Sequence, residues 1–300
     1  MTNDHPDGRA GVLYGVLAYS LWGLFPFYWK ALAGIPLWET LAHRVLWSLV
    51  TVLAALAVLR RLSAFYRAFS DPRTLAILGL SALLIGTNWS LYVLSVYTGQ
   101  VLQASLGYYI NPLINVGLGT LLLRERLSFR QGLAVGLAAS GVLLLGWSHH
   151  GWPWLALGLA FSFAFYSLIK KRLRVEALAG LGVEALWLAP VAGVYLLLAA
   201  RHGPMAFASG HASAWLLSTG PITLMPLVLF NAAARRLRLS TLGFIQYISP
   251  SIQLLVAVVF FHEPFGPLHW AAFGLIWTAL ALYSWESWLR LSASGPSPKT

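Results

Sequence analysis

The sequence predicts an all-α membrane protein of ten transmembrane helices arranged as two inverted five-helix repeats. Three observations carry that reading. The composition is too apolar for a soluble surface, Lys and Arg are partitioned 17 to 2 between alternating loops, and one segment occurs twice. The 300 residues are 58% hydrophobic and 10% charged, with a mean hydropathy of +0.71. A soluble domain carries about 25% charged residues, so lipid must solvate much of this chain. Fourteen Trp suit aromatic belts at two membrane interfaces. There is no Cys, and the eight His show no metal-ligand spacing. Neither a metal nor a cofactor is expected.

A spanning helix needs about 20 mostly apolar residues. Ten windows meet this: 11–30, 39–59, 75–97, 102–122, 129–147, 153–170, 179–200, 213–231, 240–260 and 268–289. Residues 1–10 carry Asp4, Asp7 and Arg9 and lack the basic start of a signal peptide. The first apolar segment is therefore read as a retained helix behind a short cytoplasmic tail. Residues 290–300 read as a disordered cytoplasmic tail. The connections are short and leave no room for a soluble module.

Lys and Arg in the loops orient the chain. With the N-terminus in the cytoplasm, that side holds Arg9, the cluster Arg60 to Arg73, Arg124, Arg126 and Arg130. It also holds the cluster Lys170 to Arg174, the cluster Arg235 to Arg238, Arg290 and Lys299. The opposite side holds Lys30 and Arg201, and Arg44 lies inside a span. The net charge of +11 is thus spread over loops between apolar runs. That excludes a nucleic-acid partner and points to membrane lipid.

The repeat has a constant offset of 138. Tyr109, Ile110, Pro112, Glu125, Gly136 and Trp147 map on Tyr247, Ile248, Pro250, Glu263, Gly274 and Trp285. Fainter matches lie earlier, Leu17 to Ser20 on Leu159 to Ser162 and Leu46-Trp47 on Leu186-Trp187, at offsets of 142 and 140. The two units are 11–147 and 153–289. Five spans per unit place the second upside down relative to the first.

Pro112 and Pro250 each fall near the middle of a span. A proline removes its own N–H and displaces the carbonyl four residues earlier, here those of Tyr108 and Gln246. In lipid such groups must be satisfied by protein or by a wet cavity. Matched breaks in both halves point to a central transport site, with Pro112 and Pro250 as helix breaks that gate it. Tyr108, Tyr109, Asn111, Gln246, Tyr247 and Ser249 surround the breaks, and Asn88, Trp89 and Tyr92 mark the third span. These groups are expected to line a site for a mostly neutral, zwitterionic or aromatic molecule. The bland alternative is hydrogen-bonded glue between helices.

Glu39 and His43 are four apart and share a helix face. Arg44 follows, and an ionisable group inside a span is a functional candidate by default. His43 and Arg44 are assigned to substrate binding, Arg44 through an anionic group. Glu39, His43 and Glu184 are the candidate proton-coupling residues. An Arg44–Glu184 pair across the pseudo-axis is a further expectation. Glu125 and Glu263 are expected to accept hydrogen bonds at the start of the helix that follows each of them.

The stretches Glu39-Thr-Leu-Ala-His43-Arg44-Val-Leu-Trp47-Ser48 and Gly86-Thr-Asn88-Trp89 match a known family. So do Ala104-Ser-Leu-Gly-Tyr-Tyr-Ile-Asn-Pro-Leu113, Ala160-Phe-Ser-Phe-Ala-Phe-Tyr166 and Leu237-Arg-Leu-Ser-Thr-Leu-Gly-Phe-Ile-Gln-Tyr-Ile-Ser-Pro250. Over residues 8–290 the chain resembles the EamA-type transporters of the drug/metabolite transporter superfamily, specifically the RarD subfamily of "chloramphenicol-sensitive" permeases. The resemblance implies a secondary carrier of the bacterial inner membrane with both termini cytoplasmic. It also implies export of small metabolites or drugs by alternating access. The chain departs from the pattern at Gln103, where many members carry an acidic residue, so proton coupling at that position is not expected. The alternative activity is that of a membrane-embedded transferase with an interfacial Glu39–His43 site. No Gly-rich phosphate loop is present, which excludes an ATP-driven pump.

Overall fold

The computed structural model describes residues 6–123, 129–148, 153–173, 175–208, 210–234, 236 and 245–293. These residues are almost entirely helical, and there is no strand among them. The helices are α1 (Pro6–Ala31), α2 (Leu37–Val58), α3 (Leu62–Ser70), α4 (Pro72–Tyr97), α5 (Val101–Leu123) and α6 (Phe129–Ser148). They continue with α7 (Trp154–Arg172), α8 (Ala177–His202), α9 (Gly210–Ala234), α10 (Ile248–Leu255) and α11 (Pro267–Ala293). A 3₁₀ turn at Ala206–Ala208 precedes α9, and α10 runs into a π-helical turn at Val256–Phe260.

Five helical stretches are long and apolar enough to cross a membrane: Arg9–Ala31, Leu37–Val58, Pro72–Tyr97, Ala177–His202 and Ala212–Phe230. Shorter apolar helices cover Gly132–Leu144, Trp154–Lys170, Ile248–Phe260 and Pro267–Leu282. Large apolar side chains stand outward, as at Val191, Val194, Leu197 and Leu198 on α8. So broad an apolar surface suits hydrocarbon rather than water.

The helices end where the local chemistry says they should. Asp71 accepts the Thr74 N–H at 3.1 Å and caps α4, which has Pro72 at its first position. Gly99 has φ 66° between α4 and α5, a left-handed turn that glycine makes without a Cβ penalty. The expected spans fall on described helices apart from the start of the ninth, whose residues 240–244 lie outside the described ones.

Two features differ from expectation. Helix α3 was not expected. It is nine residues, too short for a span, and it buries Phe65 and Ala68 against Val52, Leu56 and Leu181. The prolines also differ from each other. Helix α5 continues through Pro112 without interruption. Only the second half has a break, a turn at Tyr247 from which α10 starts at Ile248. Pro250 is the third residue of α10, where a missing N–H costs no intrahelical bond.

In the packing, α2 contacts α8 and α9, and α1 contacts α9 and α10. Helix α4 contacts α7 and α8, α5 contacts α7 and α10, and α6 contacts α11. Small residues allow the closest approaches. A Cβ on Gly107 would lie 2.7 Å from the Ala156 carbonyl oxygen, and one on Gly141 2.8 Å from that of Ala272. Such contacts replace the hydrophobic drive that is missing between helices in lipid.

Candidate functional site

Arg44 lies two turns into α2 and is 4% exposed. Its guanidinium carbon sits over two indole rings, 4.7 Å from the Trp29 centroid and 4.2 Å from that of Trp89. Both lie within cation–π range. Helix α1 supplies Trp29 and Tyr28, α4 supplies Trp89 and Tyr92, and α5 supplies Tyr108. Tyr28, Tyr92 and Tyr108 are the electrostatic neighbours of Arg44. The Tyr92 and Tyr108 rings are 5.9 Å apart, and Phe163 of α7 meets Tyr108 edge-on at 6.4 Å. Tyr28 is held by the Trp215 carbonyl and Ser218 Oγ of α9, each at 2.8 Å. The result is an aromatic box with one cation in it.

Among the described residues, no carboxylate pairs with Arg44. The expected Arg44–Glu184 pair is replaced by another. Glu184 Oε1 contacts Lys170 Nζ at 2.6 Å and accepts Ser81 Oγ at 2.5 Å, and the Tyr166 hydroxyl donates to Oε2 at 3.5 Å. Lys170 reaches inward from the end of α7 and neutralises Glu184 first. Proton coupling through Glu184 would have to act within this network.

Glu39 is also engaged. Its Oε1 accepts the Phe207 backbone N–H at 3.1 Å, which holds the turn before α9 against the start of α2. The Phe207 ring stacks on His43 at 4.7 Å and 15°. His43 Nδ1 accepts the Trp47 indole N–H at 3.3 Å. The interfacial Glu39–His43 pair that a transferase would use is therefore covered by Phe207.

The remaining candidates divide between the box and the helix seams. Asn88 donates to the Leu159 carbonyl and to Ser162 Oγ, both at 3.0 Å, and ties α4 to α7. Tyr109 and Tyr247, equivalent in the repeat, stack on each other at 6.4 Å and 16° where α5 meets α10. The Tyr109 hydroxyl bonds Ser251 Oγ at 2.7 Å, and Ser105 Oγ donates to the Pro250 carbonyl at 2.8 Å. Ser249 accepts from Gln253 at 3.2 Å, and Gln246 is half-buried. Asn111 is fully buried with neither amide atom bonded among the described residues. The side chain of Pro112 lies outside the described ones.

Glu263 caps a different helix from the one expected. Its two carboxylate oxygens accept the N–H groups of Val101 and Leu102 at 2.7 and 2.8 Å. It therefore closes the start of α5 in the other half, not the start of α11. Burial pushes its carboxyl above the ordinary value, while those two N–H donors and Lys30 pull it down. Glu125 lies outside the described residues. Glu263→Ala should cost about 2 kcal/mol, because it strips acceptors from two buried donors. Thermal unfolding in micelles reads this, and an unchanged midpoint would show that water replaces the carboxylate.

Sequence reasoning missed Trp29, Tyr28, Phe207 and Lys170. Trp29 follows the pattern of an interfacial tryptophan, and nothing in the sequence says that it packs beside Arg44.

The EamA-like transporter family matches residues 9–147. An uncharacterized transporter of Pseudomonas aeruginosa is 46% identical over 286 residues, covering 94% of this chain and 96% of that protein. RarD of Salmonella typhi is 45% identical, covering 93% and 96%, and RarD of Escherichia coli K12 is 43% identical, covering 93% and 95%. One crystal structure superposes with a TM-score of 0.61 at 20% identity, over 91% of this chain and 96% of that one. The fold is thus shared with a solved protein, and similarity to RarD proteins runs almost end to end. On that ground this multi-pass membrane chain belongs to the EamA-like transporter family and, within it, to the RarD subfamily.

Proposed function

We propose that the chain is a secondary carrier that moves small organic solutes across the bacterial inner membrane by alternating access, in the export direction. Both termini are cytoplasmic, and the substrate enters the box around Arg44, with His43, Trp89, Tyr92 and Tyr108 about it. The observation that carries the reading is the pattern of contacts between the halves. Setting α3 aside, let α1, α2, α4, α5 and α6 trade places with α7, α8, α9, α10 and α11. The pairs α1·α9 and α4·α7 then exchange, as do α1·α10 with α5·α7 and α2·α9 with α4·α8, while α2·α8, α5·α10 and α6·α11 map on themselves. That exchange is expected of two related units and supports an inverted repeat of 11–147 and 153–289; such repeats rock about a central site.

Solute counterflow in proteoliposomes containing the purified chain is the test. Exchange should appear with at least one member of a broad metabolite panel, and none across the panel would end the reading. Pro250→Ala restores a donor and lets α10 extend back through Tyr247, so it should slow exchange several-fold. Pro112→Ala sits in a helix that is already continuous and should do less. Equal slowing would show that both prolines act as hinges.

A further inference from the structure

The box around Arg44 holds buried hydrogen-bond donors that are without a partner among the described residues. Arg44 Nε and Nη1, Trp29 Nε1 and the Tyr92 hydroxyl are all buried without a partner among the described residues. Trp29 is 0% exposed, Arg44 4% and Tyr92 5%. Buried polar groups are normally bonded, and a buried charge without a partner is among the most expensive features a protein can carry. Here the unpartnered donors belong to Arg44 itself, to Trp29, whose ring it faces, and to Tyr92, one of its electrostatic neighbours. The buried carboxylates among the described residues are committed, Glu184 to Lys170, Glu39 to Phe207 and Glu263 to α5.

The geometry points to a binding site for an organic monocarboxylate, with the carboxylate on Arg44 and an apolar or aromatic body against the surrounding rings. Charge selects the class. One uncompensated guanidinium balances one negative charge, whereas a phosphate monoester carries about −1.5 to −2 and would leave an excess buried anion. Planar donors on a guanidinium suit the two oxygens of a carboxylate. No carboxylate stands beside Arg44, among the described residues, to receive an ammonium group. This assignment rests on the carrier reading for its biological use, but the site itself does not need transport to be tested.

The experiment is titration calorimetry and tryptophan fluorescence on the full chain in nanodiscs. The probes are benzoate, its neutral isostere benzamide, and phenyl phosphate. Benzoate should bind at least about tenfold more tightly than benzamide, the scale of one charged hydrogen-bonded contact, and more tightly than phenyl phosphate. Arg44→Gln should erase the preference for benzoate over benzamide, and Arg44→Lys should restore part of it. Equal binding of benzoate and benzamide, no saturable benzoate response, tighter phenyl phosphate binding, or full benzoate preference in Arg44→Gln would each overturn the assignment. The wild-type comparison decides the matter even if the variant fails to fold. Benzoate flux into proteoliposomes separates the two claims. Binding without flux removes the carrier reading and leaves the anion site, while flux of neutral solutes that is indifferent to Arg44→Gln does the reverse.

Discussion

Lys170→Met should cost about 3–5 kcal/mol of stability, the loss expected when one partner of a buried ion pair is removed. Adding Glu184→Gln in the same chain should return most of it. The Glu184 side chain is 1% exposed, and Lys170, at 27%, brings in the compensating charge along its aliphatic stem. Without that charge Ser81 and Tyr166 still donate to the carboxylate, but two neutral donors do not balance a buried anion. The double variant removes the charge and keeps a shape that both hydroxyls can still bond. Equilibrium unfolding of the single and double variants in mixed micelles reads the coupling. A loss below about 1 kcal/mol for the single variant, or no recovery in the double, would show that the pair is screened as if at the surface.

The same pair explains why Arg44 is exceptional. At the offset of 140 Arg44 corresponds to Glu184, and at the offset of 142 Tyr28 corresponds to Lys170. By sequence offset, then, a carboxylate and its lysine in one half stand opposite a guanidinium and a tyrosine in the other. The Tyr28 hydroxyl is turned to the Trp215 carbonyl and Ser218. The carboxylate of the second half has its counter-charge, and among the described residues the guanidinium of the first half has none.

Much of this architecture could be read from residues alone. Helix positions follow from apolar runs bounded by Gly, Pro and Arg, and the offset of 138 pairs Tyr109 with Tyr247, whose rings stack. Arg44 was legible because a charge in hydrocarbon has few explanations. What was not legible depends on long-range contact. Nothing near Glu263 in the sequence says that it closes α5, 161 and 162 residues away. The choice of Lys170 over Arg44 as the partner of Glu184 depends on how the helices pack. Asn88 and Asn111 look alike in sequence, yet one clamps α4 to α7 while the other is buried with no bond among the described residues. Pro112 and Pro250 look equivalent by offset, yet only one stands in a first helical turn. Side-chain type identified the candidates, and only the packing separates those that hold helices together from those that face the box.

Gly220→Ala should destabilise the chain by about 3 kcal/mol, the upper part of the range for overpacking, although it adds a single methyl group. A Cβ at Gly220 would collide with the Trp47 carbonyl oxygen and Thr51 Oγ1, and would come within 2.6 Å of the Trp47 carbonyl carbon. The obstacle is the backbone of α2, which cannot swing aside as a side chain can. Thr51 is itself bonded to the Trp47 carbonyl at 2.7 Å, which stiffens that turn. Relief requires α9 to move away from α2, and Arg44 sits one turn before Trp47 on the same helix. The variant should therefore weaken benzoate binding along with stability. Gly193→Ala is the control: nothing lies within 4 Å of a Cβ at Gly193 on α8, and replacing a helical glycine by alanine gains about 0.5–1 kcal/mol. Thermal unfolding in micelles compares the two substitutions directly. If Gly220→Ala matches Gly193→Ala, α2 and α9 are not in backbone contact in the membrane, and the depth of Arg44 between them is not set by their packing. If it unfolds the chain at lower temperature and also loosens benzoate, one close helix crossing both stabilises the bundle and positions Arg44.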